Sequence, residues 1–256
     1  VPTMGCLHEG HLSLVAAAKA KADVVVVSIF VNPLQFGPSE DLARYPRSLK
    51  KDEQLLKDFD VDALFLPAAD TMYCPGFKTY VEVDSLSKKL CGRTRPAHFR
   101  GVSTIVAKLF NIVAPDYAFF GEKDFQQQVI IKRMVKDLNF PVEVISLPTV
   151  REYDGLAMSS RNKYLTPKER KQAVVLYKSL LLAKEEIEKG ERNIHKITLR
   201  LRSVIGSVPN IRLDYAAIVD PETLEEVKAI KGRVLIALAG QIGKARLIDN
   251  LVVEAK

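Results

Sequence analysis

The run from Val24 to Val31 constrains the fold of this chain more than any other segment, because all of its residues except Ser28 are apolar and most are β-branched. Such a run is typical of a strand that is buried on both faces, as in a parallel sheet covered by helices. We predict further strands at residues 63–66, 79–83, 117–120 and 142–147. We also expect a first strand that ends at Val1, with its earlier residues outside this sequence.

Helical patterns separate these strands. Apolar residues recur at helical spacing over residues 49–59, 102–113 and 125–138. Strands that alternate with helices of this length indicate βαβ units and a parallel sheet. Right-handed crossovers bring the carboxyl ends of such strands to one side, where α/β proteins bind their ligands.

The last hundred residues show a different pattern. A long helix is predicted from Thr166 to Lys189, because Thr166, Pro167 and Glu169 form a capping-box pattern and Gly190 is a stop signal. A second helix and three strands are predicted at residues 194–205, 213–219, 234–239 and 245–253. The sequence therefore predicts an α/β protein with a parallel-sheet domain over residues 1–150. Residues 151–256 form a smaller α+β domain with helices and a small antiparallel sheet.

Composition argues against several classes of protein. The three cysteines, Cys6, Cys74 and Cys91, form no C-x-x-C motif, which argues against a disulfide scaffold or a structural zinc site. Apolar runs stay well below the roughly 18 residues of a membrane span, and the sequence shows no signal-peptide pattern. We therefore expect a cytoplasmic protein without a membrane partner.

The net charge of +7 lies mostly in residues 151–256, which carry 20 Lys and Arg against 14 Asp and Glu. A basic region suits nucleic acid, an acidic small molecule such as ATP, or simply a solvated surface. The chain has no Trp, no arginine-rich run and no interleaving of basic and aromatic residues. These features disfavour nucleic acid as a partner.

The segment PTMGCLHEGH at residues 2–11 carries the strongest indication of chemistry. His8 and His11 are three residues apart, Gly10 directly precedes the second, and an apolar helical pattern begins at Leu12. We expect His11 at the start of a helix, where unpaired N–H groups and the helix dipole favour an anion. Two imidazoles there could hold nucleotide phosphates and a departing pyrophosphate, as in nucleotidyl transfer. The alternative is a loop with two exposed histidines.

Two more polar segments follow predicted strands. Asn32 and Gln35 carry amides that suit a substrate with hydroxyls and a carboxylate, although Asn32 could equally serve a turn. Lys123 would lie near phosphates at a helix start, whereas Asp124 could merely cap that helix. Gln127 lies four residues after Lys123 and shares its helix face.

Two loops complete the set of candidate segments. Ser159, Ser160 and Arg161 lie between the predicted domains and could form a phosphate clamp or an ordinary hinge. Segment 93–101 is basic and could contact substrate or lie at a subunit edge. His98 and His195 are interpreted as isolated surface or core histidines. The sequence contains neither a dinucleotide-binding G-x-G-x-x-G after a strand nor a P-loop.

Together these segments resemble the pantothenate synthetase (pantoate–β-alanine ligase) family. The resemblance rests on six stretches in the family's order: PTMGCLHEGH at 2–11, FVNPLQFG at 30–37, RYPR at 44–47, RPAHFRGV at 95–102, FFGEKDFQQ at 119–127 and PTVREYDGLAMSSRN at 148–162. The C-terminal part matches mainly in size and layout. The resemblance implies a Rossmann-like, doubly wound parallel sheet in the first domain, a C-terminal lid domain and a homodimer.

The resemblance also implies a reaction in two steps. The carboxylate of pantoate attacks the α-phosphorus of Mg-ATP and gives pantoyl adenylate and pyrophosphate; the amine of β-alanine then displaces AMP and gives pantothenate. The residues expected to contact ATP are Met4, Gly5, His8, His11, Gly121, Glu122, Lys123, Asp124, Val150, Met158, Ser159, Ser160 and Arg161. The expected catalytic residues among them are His8, His11, Lys123 and Arg161, with His11 as the proton-donor candidate.

Three amides and one carboxylate complete the implied site. Gln35, Gln127 and Asn32 would hold pantoate, and Gln35 would also face β-alanine. Asp52 is the candidate protein ligand of Mg²⁺, whose other ligands would be mostly phosphate and water oxygens. Cys6 stands where the family usually has alanine, so we expect its alkylation to inhibit and ATP to protect it. The alternatives are an adenylyltransferase with a different acceptor and a basic nucleic-acid-binding protein.

Overall fold

The structure is a computed structural model that describes residues 1–38 and 40–255 of the chain. Its internal contacts group Val1–Lys88 and Arg95–Val150 into a first unit, and Lys89–Thr94 and Arg151–Lys256 into a second unit. The short segment Lys89–Thr94 therefore belongs to the second unit although its chain neighbours belong to the first. The predicted domain limits of 1–150 and 151–256 differ from these units in that one segment.

The first unit contains two parallel sheets. β1 (Pro2–Thr3), β2 (Val26–Ile29) and β3 (Ala63–Phe65) form the first sheet in that order. β4 (Tyr117–Gly121) and β5 (Glu143–Leu147) form the second. The strands have two to five residues, and β1 extends two residues beyond the expected end at Val1. The carboxyl ends of β1, β2 and β4 lead directly into predicted site segments.

Helices connect these parallel strands. Numbered along the chain, the helices up to residue 150 are α1 (Glu9–Lys21), α2 (Leu49–Asp58), α3 (Ala69–Met72), α4 (Cys91–Thr94), α5 (His98–Val113) and α6 (Phe125–Asp137), of which α4 lies in the segment that belongs to the second unit. Val15 of α1 and Val27 of β2 are completely buried, and they share one apolar cluster with Leu56 of α2 and Phe119 of β4. This cluster packs α1 and α2 against β2 and β4, and it thereby fixes where these helices begin relative to the ends of the strands.

The second unit is built on an antiparallel sheet. β6 (Ile211–Val219), β7 (Gly232–Ile242) and β8 (Ala245–Ala255) pair in chain order. The helices α7 (Pro167–Ala173), α8 (Val175–Glu188) and α9 (Ile194–Gly206) accompany it, with α8 against β8 and α9 against β6. Aliphatic side chains from all of these elements form one continuous core.

The predicted fold class, with parallel sheets and a separate antiparallel sheet, is confirmed. Two element predictions are wrong. Residues 79–83 form no strand, because the Thr104 hydroxyl of α5 accepts the N–H of Val81 at 3.0 Å where a neighbouring strand would otherwise pair. The long helix predicted from Thr166 is two helices that meet at Val174, although the predicted capping box of Thr166 and Glu169 is present. No helix in the described part of the chain is long and apolar enough to cross a membrane.

Candidate active site

A tight turn after β1 leads into the histidine segment. The Thr3 hydroxyl accepts the N–H of Gly5 at 3.1 Å and donates to the carbonyl of Ser28 at 2.8 Å. Gly5 and Cys6 both have left-handed backbone, with φ of 78° and 53°. A Cβ at Gly5 would lie 2.9 Å from Cγ2 of Ile29, so glycine is needed both for the turn and for its packing.

Asp52 of α2 holds this turn in place. Its carboxylate accepts the N–H groups of Cys6 at 2.7 Å and Leu7 at 2.9 Å, and the Ser48 hydroxyl at 3.1 Å. Asp52 is 1% exposed, and its oxygens serve the fold through these hydrogen bonds. The predicted contact of Asp52 with Mg²⁺ stays a prediction, and no cluster of three or more His, Cys, Asp or Glu side chains that could hold a metal ion occurs among the described residues. Cys6 is also 1% exposed, so alkylation of its thiol would require this turn to open.

His8 and His11 lie together at the start of α1. His8 is the N-cap residue: its Nδ1 accepts the N–H of Gly10 at 3.1 Å and its carbonyl accepts the N–H of His11 at 2.7 Å. An accepting Nδ1 leaves the proton of the neutral ring on Nε2. The two ring centroids are 4.1 Å apart. The predicted position of His11 at a helix start is confirmed.

The charge of His11 is set by its surroundings. Burial, with smaller contributions from the neighbouring His8 and Lys123, lowers its pKa to about 3, and the charge of Asp124 acts in the opposite direction. The ring is therefore neutral at pH 7, and its buried Nδ1 has no hydrogen-bond partner in the described structure. The predicted proton-donor role of His11 thus requires a bound anion, which would raise this pKa.

The turn after β4 brings a cation to the histidines. Lys123 lies in a single 3₁₀ turn between β4 and α6, with its ammonium 3.7 Å from the carboxylate of Asp124. Asp124 precedes α6, but its side chain makes no capping hydrogen bond, so the alternative role of Asp124 as a helix cap is not supported. Because β4 contacts both β1 and α1, the turn after β4 lies near the histidine segment, and the charges of both residues act on His11. Other predicted ATP and pantoate contacts are partly exposed at or near these strand ends: Met4, Gly121, Glu122, Gln127 and Val150.

The turn after β2 carries Gln35 and packs directly on α5. A Cβ at Gly101 would lie 2.2 Å from the carbonyl oxygen of Leu34, so the approach requires glycine. Asn32 is completely buried; its side chain accepts the N–H of Leu34 and the hydroxyl of Tyr73 and donates to the carbonyl of Gly101. This side chain therefore holds the turn in place, and its predicted contact with pantoate stays a prediction.

Two residues beside this turn had no assigned role in the sequence analysis. His98 is not an isolated histidine, because its ring bonds both the carbonyl of Gln35 and the guanidinium of Arg95. The guanidinium of Arg95 also forms two hydrogen bonds with Glu40, at 2.8 and 2.7 Å. The basic segment 93–101 was the only sequence signal for this network.

In the second unit, one loop presents the hydroxyl and guanidinium groups. The hydroxyl of Ser159 accepts the N–H of Arg161 at 3.3 Å and begins a 3₁₀ turn. The preceding residues are fixed by Arg170, which bonds the carboxylates of Glu152 and Asp154. Ser160 is buried, whereas Met158, Ser159 and Arg161 are partly exposed. The loop thus gathers the groups that a phosphate clamp needs.

Comparison with known proteins decides the family. The profile of the pantoate-beta-alanine ligase family matches residues 1–252. The chain belongs to this family. The pantothenate synthetase of Moorella thermoacetica is 57% identical over 254 residues, which cover 99% of this chain and 90% of that protein. That of Thermosipho africanus is 57% identical over 253 residues, with coverage of 99% and 91%.

Solved structures of the pantoate-beta-alanine ligase family share the fold. The pantothenate synthetase from Thermus thermophilus superposes with a TM-score of 0.95 at 50% identity, covering 98% of this chain and 91% of that one. The pantoate-beta-alanine ligase from Francisella tularensis, complexed with beta-gamma ATP and beta-alanine, gives a TM-score of 0.81 at 38% identity, covering 98% and 87%. As a member of the family, this chain is an enzyme of pantothenate formation. The roles of its individual residues stay predictions.

Proposed function

We propose that this chain joins pantoate to β-alanine with ATP, through a pantoyl-adenylate intermediate. The observation that carries the proposal is the pair of His8 and His11 rings at the start of α1, a helix that contacts β4, whose following turn carries Lys123. Family membership names the two acids that are joined. The Francisella complex, which contains an ATP compound and β-alanine, supports two of the three substrates.

The first step forms the adenylate. A carboxylate oxygen of pantoate bonds to the α-phosphorus of ATP, and the bond from that phosphorus to the oxygen of pyrophosphate breaks. A carboxylate is already a nucleophile, so this step needs positioning and charge neutralisation rather than a general base. His8, His11 and Lys123 supply donors and positive charge at the N-terminus of α1. Ser159, Ser160 and Arg161 are proposed to bind the phosphates of ATP.

The second step forms the amide. The uncharged amine of β-alanine attacks the acyl carbon, the C–N bond forms, AMP leaves with the electrons of the broken C–O bond, and the amine loses a proton. Gln35 and Gln127 are proposed to hold pantoate, because an amide can both donate to a carboxylate and accept from a hydroxyl. Gln35 is also proposed to face β-alanine.

Magnesium is proposed to enter with ATP as part of the substrate. Because Asp52 is committed to the turn after β1, phosphate and water oxygens would supply the ligands of the ion. We further propose a cytoplasmic homodimer, as the resemblance to the family implies.

Release of pyrophosphate from ATP tests the proposal. With the purified chain, we expect release only when pantoate is present, and AMP and pantothenate in equal amounts only after β-alanine is added. Pyrophosphate release that does not depend on pantoate would instead support an adenylyltransferase with another acceptor. A chain that releases none, yet binds RNA or DNA with a steep salt dependence, would support the nucleic-acid alternative suggested by its basic charge.

A further inference from the structure

Arg95 and His98 take no part in the reaction as proposed above, yet both are directed at one backbone atom. The carbonyl oxygen of Gln35 accepts a hydrogen bond from Nδ1 of His98 at 2.8 Å and one from Nη2 of Arg95 at 3.1 Å. A carbonyl oxygen has two lone pairs, so both are used. We propose that Arg95 and His98 are positioning residues that fix the backbone of Gln35 and thereby aim its side-chain amide at pantoate. This inference rests on the proposed function.

The ring of His98 is held in one tautomer. The Gln35 carbonyl can only accept, so Nδ1 of His98 carries a proton. The guanidinium of Arg95 can only donate, so Nε2 of His98, 3.0 Å from Nη1, accepts. Burial and the neighbouring positive charge of Arg95 lower the pKa of His98 to about 3, so the ring stays neutral at physiological pH. His98 therefore keeps one orientation and one tautomer, in which it donates to the carbonyl of Gln35.

Glu40 fixes Arg95 in turn. Its two carboxylate oxygens accept Nε and Nη2 of Arg95 at 2.8 and 2.7 Å, and only 13% of the Arg95 side chain is exposed. Burial alone would raise the pKa of Glu40, but the hydrogen bonds and charge of Arg95 lower it, so the pair stays ionised. The planar guanidinium is thus held so that its remaining edge faces His98 and Gln35.

The rest of the Gln35 backbone is also held. Its N–H donates to the carbonyl of Asn32 at 3.1 Å, and a Cβ at Gly101 would lie 2.9 Å from its nitrogen. Rotation of this residue would therefore break several hydrogen bonds at once, which fixes the direction in which its side chain leaves the backbone. His98 begins α5, which packs against α6, the helix that directly follows the Lys123 turn, and the negative charge of Asp124 acts on His98. A displacement of Gln35 would therefore change how the substrate is positioned for the reaction.

Steady-state kinetics of four variants test the inference: His98→Leu, His98→Asn, Gln35→Ala and the double variant of His98→Leu with Gln35→Ala. Leucine removes the donor, whereas asparagine keeps an N–H donor near the place of Nδ1. We expect His98→Leu to raise the KM for pantoate about tenfold, the effect of one lost hydrogen bond, with the KM for ATP changed less than about twofold. His98→Asn should restore most of the loss.

The double variant separates positioning from direct contact. If His98 acts through Gln35, His98→Leu should have almost no further effect on pantoate once Gln35 is alanine. If the full tenfold effect persists there, or if the KM values for ATP and pantoate rise together, the inference is wrong. If the chain without substitutions shows no pantoate-dependent release of pyrophosphate, the proposed function is wrong. If that chain is active but the effects of His98→Leu and Gln35→Ala on the KM for pantoate simply add, this inference is wrong.

Two further variants serve as controls. Arg95→Met alone would leave the Glu40 carboxylate buried without its partner and could prevent folding. Combining it with Glu40→Gln removes both charges, and this double variant should show the same selective rise in the KM for pantoate. His195 is an exposed histidine on α9, so His195→Leu should leave both KM values unchanged. Thermal unfolding of each variant confirms that it is folded.

Discussion

The two units of this chain differ in how their backbone N–H and carbonyl groups find hydrogen-bond partners. The first has strands of two to five residues and contains most of the buried polar side chains in the described structure, namely Thr3, Ser28, Asn32, Gln35, Asp52, Ser87, Ser103, Thr104, Gln126 and Gln128. The second has strands of nine to eleven residues and a largely aliphatic core. Long paired strands satisfy their own N–H and carbonyl groups, whereas short strands end in loops that need other partners.

Buried polar side chains supply those partners in the first unit. Asp52 accepts two N–H groups of the histidine turn, and Asn32 ties the Gln35 turn to α5. Thr104 takes the place of a strand beside Val81. The proposed chemistry thus depends on buried side chains that hold these turns in place. Substitutions in the second-unit core should therefore mainly reduce stability, whereas polar substitutions in the first unit should also affect the reaction.

The largest expected effect concerns the second-unit core. Leu201 and Leu199 lie on the same helix, α9, but are 1% and 53% exposed. Leu201→Ala should lower the free energy of unfolding by about 2–5 kcal/mol, because it leaves a cavity in a packed core. Leu199→Ala, the matched control, should change it by less than about 0.5 kcal/mol. Urea unfolding measures both, and similar losses would refute the assigned core.

The next effect is catalytic and belongs to the first unit. Lys123→Ala should lower kcat for pantoate-dependent pyrophosphate release about a hundredfold, because it removes a positive charge beside the proposed phosphates. Its melting temperature should stay close to that of the unchanged chain, since a 3.7 Å ion pair such as that with Asp124 adds little stability. Lys132, exposed on α6, is the matched control. A loss of only ten percent in Lys123→Ala would refute its assigned role.

A third variant should cost both stability and activity. Asp52→Asn replaces one carboxylate oxygen by a donor, so one of the two N–H groups of Cys6 and Leu7 loses its acceptor. We expect a loss of about 1–3 kcal/mol in the free energy of unfolding and a weaker affinity for ATP. Asp58 is exposed on the same helix, and Asp58→Asn should have little effect on either. An Asp52→Asn chain with full stability would show that the turn does not depend on this carboxylate.

The same contrast explains what the sequence could predict. Helix and strand periods are local, so the order of elements, the capping box at Thr166 and the histidines at the start of α1 could be inferred. The bonds of Asp52 to Cys6 span 46 positions and those of Asn32 to Gly101 span 69. No local pattern predicts such pairs, so a ligand was the predicted partner of Asp52, and for Asn32 a ligand and a turn both stayed open.

The break at Val174 and the place of Lys89–Thr94 in the second unit also depend on contacts between distant segments. Within the second unit, Cys91 lies 3.1 Å from the hydroxyl of Tyr215, and the guanidinium of Arg246 lies 3.3 Å from the hydroxyl of Thr94. Composition and spacing near residue 90 do not predict these partners, which are more than 120 positions away in the sequence.

The smallest effect is a pH dependence that distinguishes the partly buried His11 and His98 of the first unit from the exposed His195 of the second. Burial lowers the pKa of His11 and His98 to about 3, whereas in the unfolded chain both have the ordinary value of about 6.5. Below about pH 6.5 the unfolded chain therefore binds protons that the folded chain does not. The stability that these rings contribute is fully present above that pH. It falls on acidification towards pH 3, by up to about 1.4 kcal/mol per pH unit for each ring. Urea unfolding at pH 7, 6 and 5 should give a shallower pH dependence in His98→Asn and an unchanged one in His195→Asn; equal slopes in both would show that His98 titrates normally in the folded chain.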